Sequence, residues 1–152
     1  MRKLSLLFAF LLTGSVVGCS QRGNFEGKWI ASDKSSWDGS KFVRKLAIKR
    51  NGENFLLYPT VEQYRDTGRT AGDMGKNAVW SSSPSGTVSA TLKDGKLMVN
   101  PIFSFTFVKS DGTVLRPEGE VYKRESVEEF SKLKKEAFDS YKEKNPRTII
   151  VP

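Results

Sequence analysis

One thiol and no imidazole bound the chemistry this chain can perform. Its 152 residues contain no histidine and a single cysteine, Cys19. The commonest general base and metal ligand is therefore missing, and neither a Ser-His nor a Cys-His nucleophile pair can be assembled. Catalysis would have to run on carboxylates, lysine, serine or tyrosine, and the acids spaced for it are Asp66 with Asp73 and Glu118 with Glu120. Paired acids cleave glycosidic bonds at the right separation, but acids set among lysines are the ordinary composition of a solvated loop. Gly75-Lys76 is no phosphate loop: Thr70 stands where its first glycine is needed and Asn77 where its Ser or Thr is needed. The reading is a non-enzyme with no metal site and no cofactor. Cys19 carries its information in its position. Arg2 and Lys3 precede an apolar run over 4–12, which Thr13, Gly14 and Ser15 interrupt before the small residues Val16-Val17-Gly18. This pattern suits a secretory signal and is too short for a spanning helix.

Val16-Val17-Gly18-Cys19 resembles the lipobox of bacterial lipoproteins. The resemblance implies that the Cys19 sulfur is joined to a diacylglyceryl group, that the signal is cut before it, and that the new amine is acylated, as with palmitate. Ser20, rather than aspartate, resembles the rule that sends enteric lipoproteins to the outer membrane. The expected organisation is a signal peptide over 1–18, a lipidated Cys19 with a short tether over 19–24, a β-barrel domain over 25–124, and a helix with a short tail over 125–152. Removing 18 residues from 152 leaves 134, enough for one domain with a core. With Cys19 committed to lipid, no disulfide staples that domain, so packing must hold it. The formal charge of +8 falls to +6 when Arg2 and Lys3 leave with the signal. That excess suits anionic surfaces, and outside the cytoplasm these are lipid headgroups, anionic glycolipid or cell-wall polymer, with no nucleic acid as partner.

The stretch 25–124 reads as short strands divided by turns. In 41–50, Phe42, Leu46 and Ile48 share one face and Val43, Lys45, Ala47 and Lys49 the other. Arg44 interrupts the apolar face and so needs a strand end or a partner. Asn51-Gly52 fits a type I′ turn into 55–61, and Asp94-Gly95 and Asp111-Gly112 mark two further hairpins. Val88, Ala90 and Leu92, then Phe103, Phe105 and Phe107, supply further apolar phases. All are expected to point inward with Phe42, Leu46 and Ile48, because a one-residue slip would expose the set. The segment 65–77, with Gly68, Gly72 and Gly75, reads as a long polar loop. Ser126 with Glu129 forms a capping box, followed by Val127, Phe130, Leu133, Ala137 and Tyr141 at helical spacing up to Asn145-Pro146. The β-branched run 148–151 is suited to a sheet edge. The fold class is mainly β: an antiparallel meander of about eight short strands closed into a small barrel, with one C-terminal amphipathic helix packed on it.

Gly27-Lys28-Trp29 on the first strand, the meander, Arg124 on the last strand and the following helix are together similar to the lipocalins and their calycin relatives. The resemblance implies that Trp29 closes one end of the barrel with Arg124 across its ring, a contact of about 0.5 to 2 kcal/mol. It leaves room for only a small cavity, since 25–124 is short for a lipocalin barrel, and no counterpart of the second lipocalin motif is present. The function expected is a lipid-anchored binding or interaction module of the cell envelope, working through loops and barrel surface. The alternatives are a small carrier of lipid or another hydrophobic ligand, and an inhibitor of an envelope hydrolase that inserts the 35–39 turn or the Gly-rich loop. Its partners are then a membrane through the anchor, with an envelope protein, an anionic glycolipid or a small hydrophobic ligand. Its place is the outer membrane, facing the periplasm.

Overall fold

The computed structural model describes residues 24–35, 39–67, 77–99, 104–108, 113–115 and 120–151. Cys19, with all of 1–23, lies outside them. Ten strands and one helix follow in chain order: β1 Gly27–Lys34, β2 Lys41–Asn51, β3 Asn54–Asp66, β4 Asn77–Pro84, β5 Val88–Lys93, β6 Lys96–Met98, β7 Ser104–Val108, β8 Thr113–Leu115, β9 Val121–Arg124, α1 Val127–Lys144 and β10 Ile149–Val151. The strands make one sheet in the order β10-β4-β3-β2-β1-β9-β8-β7-β6-β5, curled through 219° as a half-barrel. Every pairing is antiparallel except that of β10 with β4.

The curl is bridged at one end only. The first part of β3, Asn54 to Leu57, pairs with β5, whereas from Thr60 onward β3 pairs with β4. Pro59 stands at the switch. It has no N–H for a ladder, and its carbonyl accepts from the Ser85 N–H at 2.9 Å. The half-barrel is thus drawn together where β3 meets β5 and splayed where β3 turns to β4. The paired end carries the tight hairpins. Asp94 and Gly95 both have positive φ, 49° and 75°, as a type I′ turn requires. The β2–β3 turn departs from expectation: Asn51 pairs with Asn54 as the last residue of β2, so Gly52 (φ 64°) and Glu53 make the turn. A glycine first in the pair, with no positive φ after it, gives the type II′ arrangement instead.

The two faces of the sheet bury different things. Inside the curl lie Phe25, Trp29, Ala31, Leu46, Ile48, Phe55, Leu57, Ala90, Leu97, Val114 and Tyr122, with Val88 and Leu92 half-buried against them. Of the expected inward set, Phe42 is also half-buried, near the splayed end. Phe103 falls outside the described residues. Phe105 and Phe107 enter only by backbone register, opposite Leu97 and Val114.

On the outer face, α1 covers β1 to β4, setting Leu133 on Ile30 and Val43, and Phe130 and Trp80 pack beside them. Ser126 caps α1, its hydroxyl accepting from the Glu129 N–H at 3.1 Å. Leu133, Ala137 and Tyr141 are buried as expected, but Val127 is 79 % exposed. It sits on the first turn, ahead of the buried residues of the helix, which begin at Leu133. Under the helix, the Lys45 ammonium lies 3.0 Å from both Glu62 and Glu125 and 3.8 Å from the centre of the Phe130 ring. The Trp80 indole N–H donates to Glu62 at 2.9 Å.

Part of the expected long loop is strand. β3 runs on to Asp66, and a strand not anticipated from the sequence, β4, starts at Asn77, where the Thr67 N–H and hydroxyl donate to the Asn77 carbonyl. β10 lies parallel on β4 and so supplies the sheet edge foreseen for the tail.

Candidate functional site

The two ends of the curl are built on two arginines. At the paired end, Trp29 is fully buried and its indole N–H donates to the Phe25 carbonyl at 2.9 Å. Register sets Arg124 directly opposite Trp29 on β9, and its guanidinium carbon lies 3.8 Å from the centre of the Trp29 ring. The same guanidinium donates to the carbonyls of Glu26 and Asn24, which pins the incoming chain across the barrel end. Gly27 makes the crossing possible. Its φ of 128° is strained for any L side chain, and a Cβ there would collide with the Arg124 guanidinium. The structure therefore brings Gly27, Trp29 and Arg124 into one closure. Burial lowers the Arg124 pKa, yet a guanidinium stays charged throughout.

At the splayed end, Arg44 occupies the apolar phase of β2, in line with Leu46 and Ile48. It has the partners its position demanded: Asp33 at 2.7 Å and Glu120 at 3.4 Å, with the Phe42 ring 5.3 Å away. The Tyr122 hydroxyl donates to Glu120 at 3.3 Å. Arg44 Nε is buried without a hydrogen-bond partner among the described residues. Beneath this cluster a pocket of about 220 Å³ opens between β3 and β5, walled by Leu46, Leu57, Pro59, Val61, Val88 and Val99, with Arg44 and Tyr122 at its side. It exists because β3 leaves β5 at Leu57, so the wall there is missing.

Each pair of acids considered for hydrolysis has one member among the described residues. Asp66 accepts from the Tyr141 hydroxyl and Glu120 from Tyr122 and Arg44, whereas Asp73 and Glu118 lie outside the described residues. The tips of the 35–39 turn and of the Gly-rich loop also lie outside them. The base of the first is tied by the Ser35 N–H to the Ser40 carbonyl at 2.8 Å. Among the described residues, no three His, Cys, Asp or Glu side chains are grouped as metal ligands. No helix there is long and apolar enough to cross a membrane.

Sequence reasoning located Arg44 as an exception to its strand but did not gather Asp33, Glu120 and the pocket around it. The signal available was a lone charge in an apolar phase combined with a proline inside the next strand. Set against family models, curated proteins and solved structures, the chain matches none.

Proposed function

We propose that this chain is a lipid-anchored lipoprotein of the cell envelope, held by Cys19 in the outer membrane on its periplasmic side, whose domain is a binding module. Its work is recognition, with no cofactor. The observation that carries this reading is the half-open pocket beside Arg44. Its volume, about 220 Å³, is below the roughly 300 Å³ at which ordinary small-molecule sites begin. It suits one apolar side chain or a short apolar group presented by a larger partner, with Arg44, Asp33 and Glu120 offering polar contacts at the rim. An envelope protein is the favoured partner. The apolar lining is also the feature that favours the second reading, a carrier of a small hydrophobic ligand.

Photo-crosslinking in intact cells separates the two. A crosslinker at Val61, on the pocket wall, should give a discrete protein adduct that one at Ser89, on the outer face, does not. A lipid retained through purification and seen by native mass spectrometry, with no Val61 adduct, would move the protein to the carrier class.

A further inference from the structure

The chain enters the barrel at its paired end. Asn24 and Glu26 are held there by Arg124, and the turns Gly52-Glu53 and Asp94-Gly95 lie beside them. An anchor at Cys19 is separated from Asn24 by a stretch that spans at most about 17 Å when fully extended. On the reading that Cys19 is acylated, this end is therefore the one kept near the bilayer.

That end is also unbalanced in charge. Lys28, Lys49, Lys93 and Lys96 are exposed there and have no ion pair among the described residues, against the acids Glu53 and Asp94. Arg50 and Glu26 offset each other at 3.6 Å. Lys93 and Lys96 face each other directly across the β5–β6 ladder, an arrangement that destabilises a hairpin by like-charge repulsion. At the splayed end the same arrangement occurs in Lys34 opposite Lys41, but there Lys41 is matched by Glu136 at 2.8 Å. Arg44 is matched there by Asp33 and Glu120. Lys34, Arg65 and Lys144 are exposed there without an ion pair among the described residues, so what sets the paired end apart is the facing Lys93–Lys96 pair with no acid matched to it and the tether that leaves beside it.

We propose that the paired end is a docking surface for anionic phospholipid headgroups, which hold the anchored domain upright with the Arg44 pocket turned away from the bilayer. The headgroups supply the counter-charge that the Lys93–Lys96 pair and its neighbours lack among the described residues. Attraction of this kind acts over a Debye length and is weakened by salt.

The test uses the full-length protein reconstituted into vesicles of equal parts phosphatidylglycerol and phosphatidylcholine, or of phosphatidylcholine alone. A fluorophore is attached through Asn54→Cys at the paired end or Lys34→Cys at the other, with a quencher carried on the lipid headgroups. Because an acylated Cys19 has no free thiol, the engineered cysteine is then the only one labelled. Quenching should be strong at position 54 and weak at position 34 in the anionic vesicles. It should fall by roughly half or more in about 0.5 M salt, in phosphatidylcholine alone, or in the Lys49→Glu/Lys93→Glu variant. Lys93→Glu also turns a repulsive pair into an attractive one, so that variant should melt no lower than the parent, which separates lost docking from lost folding. Equal quenching at both positions, or indifference to lipid charge and to the variant, overturns the docking surface. Intact mass and label count report on the anchor separately. If Cys19 proves unacylated, the anchor is overturned, and salt-sensitive pelleting of the same protein with phosphatidylglycerol vesicles decides the docking surface by itself.

Discussion

Two arginines face the interior of one sheet and are held in opposite ways. Arg124 closes the paired end by lying on the Trp29 ring and donating to two backbone carbonyls, so its charge is spent on fixing the path of the chain. Arg44 stands at the splayed end between two carboxylates, with one N–H that has no partner among the described residues and a pocket at its side. The first arrangement ties β9 to the start of β1 and is part of the fold. The second bridges groups that are each about a third exposed or less and leaves a hole beside them, which is how a site differs from a core. The difference arises from pairing: where β3 meets β5 the interior is filled, and where β3 turns to β4 it is not.

The largest effect is expected where the closed end is removed. Trp29→Ala should lose about 3 to 5 kcal/mol of unfolding free energy in a denaturant titration, as for other large side chains deleted from a packed core. A loss below about 1 kcal/mol would mean that the end is not closed by this ring.

Next comes the arginine over it. Arg124→Ala should lose about 1 to 3 kcal/mol, from the ring contact and the charged hydrogen bonds together. Gly27→Ala should resemble it, since its Cβ would displace the same guanidinium. Arg124→Lys should recover little, because an ammonium cannot stack and bridge two carbonyls at once. If Gly27→Ala were harmless, the account of that glycine would fail.

A smaller effect is expected at alkaline pH, and on the outer face rather than at either end. For Lys45, burial acts to lower the pKa, but hydrogen bonds and attraction from Glu125 and Glu62 outweigh it and leave it above 10.5. Burial raises Tyr64 above 10.0. Both groups hold their protons more tightly when folded, so their contribution is complete below those values and is lost as pH rises through the folded ones. Thermal melts followed by circular dichroism should be level through neutral pH and fall above about pH 10, with Tyr64→Phe reducing the slope. A slope unchanged by Tyr64→Phe would remove that residue from the explanation.

The smallest stability change belongs to Arg44. Arg44→Met should shift unfolding by about 1 kcal/mol or less, since ion pairs this open to solvent are weak. It should nonetheless reduce the Val61 crosslink. Loss of several kcal/mol would make Arg44 a structural group like Arg124 and dissolve the contrast between the ends.

Much of the fold was legible because it is local. Period-two alternation marked β2, β5 and β7, Asp94-Gly95 marked its hairpin, and Ser126 with Glu129 marked the start of α1. Each depends on residues within a few positions of one another. β4 escaped because Ser81-Ser82-Ser83-Pro84 has no alternation. It is a strand because β3 pairs along its length and β10 arrives from the far end of the chain to pair with its first part. The site was half legible: Arg44 stood out, but Asp33 reaches it from the neighbouring strand β1 and Glu120 from just before β9.

By itself the sequence determined the phases of β2 and β5, the cap and stop of the helix, the absence of imidazole chemistry, and the glycine and tryptophan of the first strand. These follow from backbone sterics and side-chain chemistry, which every residue carries wherever it folds. Only the tertiary structure decided which end of the sheet is drawn together and which is open. That rests on β3 exchanging β5 for β4 around Pro59, a choice between two partners distant in sequence. No local pattern contains it, because the free energy that selects a partner resides in the pairing itself.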